Sequence, residues 1–279
     1  MSYAFPGEGA LDYLPCHYGT SRLVFRGPRR SLERPYIAIL GGTETYGKFV
    51  PDPYPDLVED ETGMAVVNLG CMNAGPDVFL NDPAIVEIAN RSAVTVLQIM
   101  GAINISNRYF AVHPRRNDRF LHATPLLRGM FREVDFTEFS FTRHMLRALQ
   151  ATSPDRFEVV AEELRATWVE RMLLLLGRIT GPKILFWMSD LAPPPPARRA
   201  SLRIEPLLVD AEMVAALSGQ ADVYVEHVTK ALAITSAITP ALTGLAFAPL
   251  DAQVAAGLPG PAAHRQAAEA LSAALGRYI

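Results

Sequence analysis

Tyr36-Ile-Ala-Ile-Leu40 runs straight into Gly41-Gly42-Thr43-Glu44-Thr45-Tyr46-Gly47-Lys48, and the reading of this junction decides the fold. The apolar run suits a buried parallel strand. Small residues directly after such a strand let backbone N–H groups and one hydroxyl face a ligand, which is where α/β sheets commonly place their chemistry. The turn has two incompatible readings. As Gly42-x4-Gly47-Lys48 it approaches a phosphate-binding loop, which would serve a sulfuryl or phosphoryl transferase. That loop needs a helix beginning near Gly47. Phe49 stands where its magnesium-binding Ser or Thr belongs, and Pro51, Pro53 and Pro55 follow at alternate positions, where a helix cannot continue. As Gly-Gly-Thr43 the same residues form a nucleophile turn presenting one hydroxyl. The backbone path through residues 47–55 decides between the two.

Working outward, further apolar runs fit buried strands at 65–69, 94–100, 183–188 and 222–228, separated by segments of helical character. Such alternation predicts a flavodoxin-like three-layer αβα fold with a mostly parallel five-stranded sheet in the order 2-1-3-4-5. Right-handed crossovers and one switch point would then gather Thr43, Gly70 and Asn104 along one sheet edge. Ser153-Pro154 reads as the N-cap and first position of a helix whose buried stripe is Phe157, Val160, Ala161, Leu164, Trp168, Met172 and Leu175, with Gly177 near its end. Three regions lie outside this pattern. Residues 1–35 form an N-terminal extension, either lying over the domain or acting as a partner-binding arm. Residues of about 105–150 form an insertion after the third strand, placed to cover the site as a lid or subdomain. Ala192-Pro-Pro-Pro-Pro-Ala-Arg-Arg199 is a polyproline-type surface segment. The division is therefore an extension, 1–35, and an α/β domain, 36–279.

The succession after the turn resembles a known pattern. Tyr54-Pro-Asp-Leu-Val58 reads as a short helix, then come Gly63, the strand Met64-Ala-Val-Val-Asn-Leu69, Gly70 and Gly75. Val94-Thr-Val-Leu-Gln-Ile-Met100 leads into Gly101-Ala-Ile-Asn104, with Asn107 a competing asparagine, and His264 precedes Arg265-Gln-Ala-Ala-Glu-Ala-Leu-Ser-Ala-Ala-Leu275. This order is similar to the sequence blocks of the SGNH (GDSL-type) hydrolases, with Thr43 where those enzymes carry serine. The chain also resembles a bacterial family described as a domain of unknown function (DUF6473), a name that carries no activity. The SGNH resemblance implies an esterase or acyltransferase. In it Thr43 is the nucleophile, His264 its base, and an oxyanion is held by the backbone of Thr43 and Gly70 and by the Gly101–Asn104 block through the Asn104 side chain. Two departures bear on this. The threonine methyl crowds the oxygen and restricts χ1, and Pro261 occupies the place of the aspartate that orients the histidine, leaving Asp251 or a backbone carbonyl to do so.

Within the insertion, His113-Pro-Arg-Arg-Asn-Asp-Arg119 brings His113, Arg115, Arg116 and Arg119 together. Guanidinium groups bind carboxylate, sulfate or phosphate through paired hydrogen bonds, so this loop points to an anionic, carbohydrate-type substrate. The alternative is a solvated loop with Asp118 as internal partner. A noncatalytic binder of the same ligands is the rival functional class. His122, His144 and His227 read as structural. A net charge of −3 argues against a general nucleic-acid binder. Cys16 and Cys71 are far apart with no CxxC, so neither a disulfide framework nor a metal site is indicated, and no cofactor is expected. The first residues lack the character of a signal peptide, and no apolar run approaches the length of a membrane span. The expectation is a cytoplasmic protein with a small-molecule or glycan substrate, no nucleic-acid or membrane partner, and self-association into a homo-oligomer left open.

Overall fold

Side chains of a strand alternate between the two faces of its sheet, and here both faces are apolar. In the computed structural model, which describes residues 9–196, 201–229 and 242–279, strand β1 (Tyr36–Gly41) sends Ala38 and Leu40 into one core and Ile37 and Ile39 into the other. A parallel sheet covered on both faces requires this pattern. After β1 come α1 (Thr43–Tyr46), α2 (Tyr54–Thr62), β2 (Ala65–Gly70), α3 (Pro76–Leu80), α4 (Pro83–Arg91) and β3 (Val94–Gln98). An antiparallel hairpin follows, β4 (Phe110–His113) and β5 (Arg116–Ala123), then α5 (Pro125–Met130), α6 (Thr142–Thr152) and α7 (Pro154–Arg178). The domain closes with β6 (Lys183–Ser189), α8 (Ala211–Leu217), β7 (Val223–Val228), α9 (Ala252–Ala255) and α10 (Pro261–Leu275).

All pairings within the main sheet are parallel, in the order β2-β1-β3-β6-β7. Counted among the five sheet strands alone this is 2-1-3-4-5, the flavodoxin-like order. Tyr54 and Val58 of α2 and Ala267 and Leu271 of α10 pack on the face of Ile37 and Ile39. On the other face lie α3, α4, α6, α7 and α8, with Trp168 of α7 fully buried and its indole N–H donating to Met100 O at 2.9 Å. α7 starts as its residues dictate: the Ser153 hydroxyl accepts from the Arg156 N–H, and Pro154 sits in the first turn. The stretch between β3 and α7 is the hairpin with α5 and α6. Residues 1–8 of the extension and Ala197, Arg198 and Arg199 of the proline run lie outside the described residues. Among the described residues, no helix is long and apolar enough to cross a membrane.

The described part of the extension is built into the core rather than laid over it. Tyr18, Leu23 and Phe25 are buried with the larger cluster, and Cys16 and Phe25 form an antiparallel bridge. Arg26, 8% exposed, donates to the carbonyls of Gly47, Val50 and Pro51. One side chain thus satisfies three acceptors of the irregular segment that follows α1. Replacing Arg26 with alanine is expected to cost about 3 kcal/mol, because buried carbonyls left without donors each cost roughly 1–3 kcal/mol. Urea unfolding monitored by far-UV circular dichroism checks this; a loss below about 1 kcal/mol would mean that water replaces the guanidinium without penalty.

Candidate active site

The turn after β1 does not take the first of its two readings. α1 begins at Thr43 and ends at Gly47, whose φ of 72° is left-handed. A Cβ on Gly47 would fall 2.3 Å from Pro53 Cβ, so glycine is required there both for conformation and for space. No helix starts near Gly47, since α2 begins at Tyr54. The helix a phosphate-binding loop requires is therefore missing, which corrects that reading and the sulfuryl or phosphoryl transfer built on it.

Buried side-chain amides hold the turn. Gln98, the last residue of β3 and 2% exposed, accepts through Oε1 from the Gly42 N–H at 2.9 Å and from the Thr45 hydroxyl at 2.6 Å. Its Nε2 donates to Glu44 Oε2 at 2.9 Å. With Thr45 donating to Gln98, the Tyr54 hydroxyl donates to Thr45 Oγ1 at 2.6 Å. From β2, Asn68 Nδ2 donates to Thr45 O, and Asn68 Oδ1 accepts from the Gly70 N–H, both at 2.9 Å. Sequence reasoning passed over Gln98 and Asn68, although a lone amide inside an apolar strand is itself a signal, because buried polar groups need partners.

Thr43 Oγ1 accepts from the Asn73 N–H at 2.9 Å and approaches Asn73 Oδ1 at 3.5 Å. Asn104 Nδ2 donates to Asn73 O at 2.8 Å, and Asn73 Nδ2 to Asp118 Oδ2 at 3.3 Å. Asn73 takes a left-handed φ of 56°, a conformation asparagine tolerates better than most side chains, and this turns its N–H toward the hydroxyl. Thr43 and Asn104 are thus brought together with Asn73 between them. Asn104 Oδ1 is buried without a hydrogen-bond partner among the described residues.

Two of the expected roles are not served by the geometry. Gly70 does not offer its N–H, which is already bonded to Asn68. Its role is close packing: a Cβ there would lie 2.3 Å from Tyr46 N and 2.7 Å from Thr45 C, so glycine lets α1 seat against β2. The N–H that reaches the Thr43 hydroxyl belongs to Asn73, three residues on. His264 lies inside the first turn of α10, 1% exposed, with its ring stacked on Tyr54 at 5.9 Å. Its Nδ1 accepts from the Tyr54 N–H at 3.0 Å, which leaves the neutral ring's proton on Nε2. Burial, helped by the nearby Arg26 charge, pushes its pKa down to about 3. Thr43 and His264 share no hydrogen bond; His264 supports Tyr54 and, through Tyr54 and Thr45, the floor of the turn.

Thr43 opens onto a cleft of about 840 Å³ at the carboxyl end of the sheet. Glu44, Gln98, Gly101 and Asn104 line it, as do Asp118, Phe141, Arg143, His144 and Arg147 of the insertion and Arg203 and Glu205 beyond β6. Residues of the insertion therefore line part of this cleft. The arginine loop enters the cleft only through Asp118. Arg115, in the β4–β5 turn, and Arg116, the first residue of β5, are exposed, and His113 Nδ1 accepts both of their N–H groups at 3.2 Å; Arg119 lies over the Phe141 ring at 4.1 Å. None of the four lines the cleft. Among the described residues, the cations that do are Lys48, Arg143, Arg147 and Arg203, and the histidine that does is His144. Among the described residues, no group of three or more His, Cys, Asp or Glu could hold a metal ion.

The model of a family described as a domain of unknown function (DUF6473) matches residues 1–279. No curated protein matches the chain. Among solved structures, it is similar to the lipase Lip_vut3 from a goat rumen metagenome, at 13% identity and TM-score 0.44 over 86% of this chain and 97% of that one. It is also similar to a lipase/acylhydrolase from Enterococcus faecalis, at 14% identity and TM-score 0.38 over 88% and 98%. Likenesses this distant lend no residue roles to the chain.

Proposed function

The chain belongs to the DUF6473 family, whose description names no activity, and on that premise we propose from the site itself an SGNH-like esterase or acyltransferase acting on an anionic substrate, acidic glycans included. The observation that carries this reading is the 2.9 Å hydrogen bond from the Asn73 N–H to Thr43 Oγ1, at the edge of an open cleft. A hydroxyl beside a fixed backbone donor, with a side-chain amide next to it, is the arrangement acyl transfer uses. Thr43 Oγ would bond to the ester carbonyl carbon while Asn73 N–H and Asn104 Nδ2 hold the developing oxyanion. The hydroxyl proton would pass to His144, the cleft's imidazole, and from there to the departing alkoxide as its C–O bond breaks. Water or a second alcohol would then take the acyl group from Thr43.

Anionic preference is supported by the guanidinium groups. Glu44 is bonded to Gln98, Asp118 to Asn73, and Glu205 pairs with Arg143 at 3.0 Å. Arg147 and Arg203 line the same cleft, are exposed, and have no ion-pair partner among the described residues. The anion-holding role given to the Arg115–Arg119 loop thus passes to these two.

A noncatalytic binder of anionic ligands is the second reading, favoured by the His264 tautomer, which leaves no imidazole bonded to Thr43. Release of alcohol from a panel of anionic oxygen esters and thioesters, read with intact-protein mass, tests the proposal. An acyl increment on the peptide carrying Thr43 is expected. Ligand binding with neither turnover nor adduct would leave the second reading. If the first holds, Asn104→Ala lowers kcat about 10²-fold with KM little changed, as loss of one oxyanion donor does; a change confined to KM would give Asn104 a ground-state role instead.

A further inference from the structure

The cleft wall is apolar as well as cationic. Met72, Phe141 and Val254 are 39%, 42% and 50% exposed, come from three separate segments, and converge on this one cleft. Leu258, Met188 and Ile103 continue the same lining. Large hydrophobic side chains scattered singly over a surface need no explanation, but several converging in a concave site mark a place for an apolar ligand. Arg147 and Arg203, without an ion-pair partner among the described residues, line the same cleft.

We infer that the ligand is an amphiphile, an acyl chain ending in or linked to an anionic phosphate or carboxylate group, its chain on the Met72–Phe141–Val254 wall and its charge on Arg147 and Arg203. This rests on the reading of the cleft as the functional site, and it narrows the anionic substrate to one that carries an alkyl chain. A purely ionic ligand would leave three exposed hydrophobic side chains in water beside it. Glu44 and Asp118 also line the cleft but are hydrogen-bonded to Gln98 and Asn73, so a neutral lipid would leave Arg147 and Arg203 with no anion bound directly to them among the described residues. The amphiphile satisfies both, and a cleft of about 840 Å³ falls in the size range of small-molecule sites.

Titration calorimetry with octyl phosphate, octanol and inorganic phosphate, each below its aggregation limit, tests the inference. Octyl phosphate is expected to bind at least about tenfold more tightly than either half alone, since burying two methylenes already supplies that factor. Arg147→Ala with Arg203→Ala should weaken octyl phosphate at least about tenfold and leave octanol unchanged. Val254→Asp should weaken octyl phosphate and octanol while sparing inorganic phosphate. All three positions are exposed, where substitutions are usually within about 0.5 kcal/mol of neutral. Equal affinity for phosphate and octyl phosphate, or octyl phosphate binding indifferent to both variants, would overturn the inference. Thr43→Ala separates it from the catalytic reading: retained binding with lost turnover supports both, whereas binding to a parent protein with no turnover on any ester sinks the catalytic reading alone.

Discussion

Thr43→Ala lowers turnover of the accepted ester by more than about 10³-fold, the scale seen when a nucleophile is deleted from a working site, and Thr43→Ser raises it. Serine keeps the oxygen that accepts from Asn73 N–H and removes the methyl that restricts χ1 and crowds the approach to a carbonyl. The two substitutions therefore move activity in opposite directions, which a merely structural threonine would not do. The base is identified by the same assay. His144→Ala should lower kcat by a comparable factor, whereas His264→Asn, away from the cleft, should leave kcat nearly unchanged at pH 7.5. Steady-state rates on one substrate across the four variants decide the matter; undiminished turnover in Thr43→Ala would remove the hydroxyl from the chemistry.

His264 has its larger expected effect on stability. Its folded pKa, about 3, lies below the unfolded value of 6.5, so the unfolded chain takes up the proton first. The contribution of the neutral ring is complete above pH 6.5 and is lost as pH falls toward 3. Between pH 6.5 and pH 4.5 the loss is roughly 2–3 kcal/mol, at about 1.36 kcal/mol per pH unit once the unfolded histidine is fully protonated. Asp56 works the other way: burial raises its carboxyl to about 6, so its folded form holds a proton more readily and stability returns as pH falls below 6. The two partly cancel in the parent protein, and the difference between parent and variant isolates the histidine. Asparagine at 264 keeps an acceptor for the Tyr54 N–H without a titrating group. Whatever His264→Asn costs at pH 7.5, the variant should gain roughly 2–3 kcal/mol on the parent by pH 4.5. Urea unfolding of both proteins at the two pH values checks this, and a constant difference would mean that His264 titrates normally.

Much of the sheet was legible along the chain because strands buried on both faces read as unbroken apolar runs. Tyr36–Leu40, 65–69 and 183–188 lie within one residue of the observed strands, and the Ser153-Pro154 cap marks the start of α7. The hairpin β4–β5 was not legible: His113 to Arg119 reads as a charged loop, whereas Arg116–Ala123 pairs antiparallel with Phe110–His113. Of the candidate site, Thr43 and Asn104 were legible from their places after strands. Asn73 was not, because its role belongs to a backbone N–H whose direction follows from one left-handed φ.

By itself the sequence determined the parallel sheet and the exposed hydroxyl at the end of its first strand, because apolar runs and the glycines that follow them are local properties. It could not determine which histidine meets that hydroxyl or which arginines face the cleft. Those depend on the packing of α10 against α2, which buries His264 under Tyr54, and on the folding of α6 over the sheet edge, which brings His144 and Arg147 to the cleft. Helix packing joins residues far apart in the chain, and side-chain direction at those contacts is fixed only once both helices are in place.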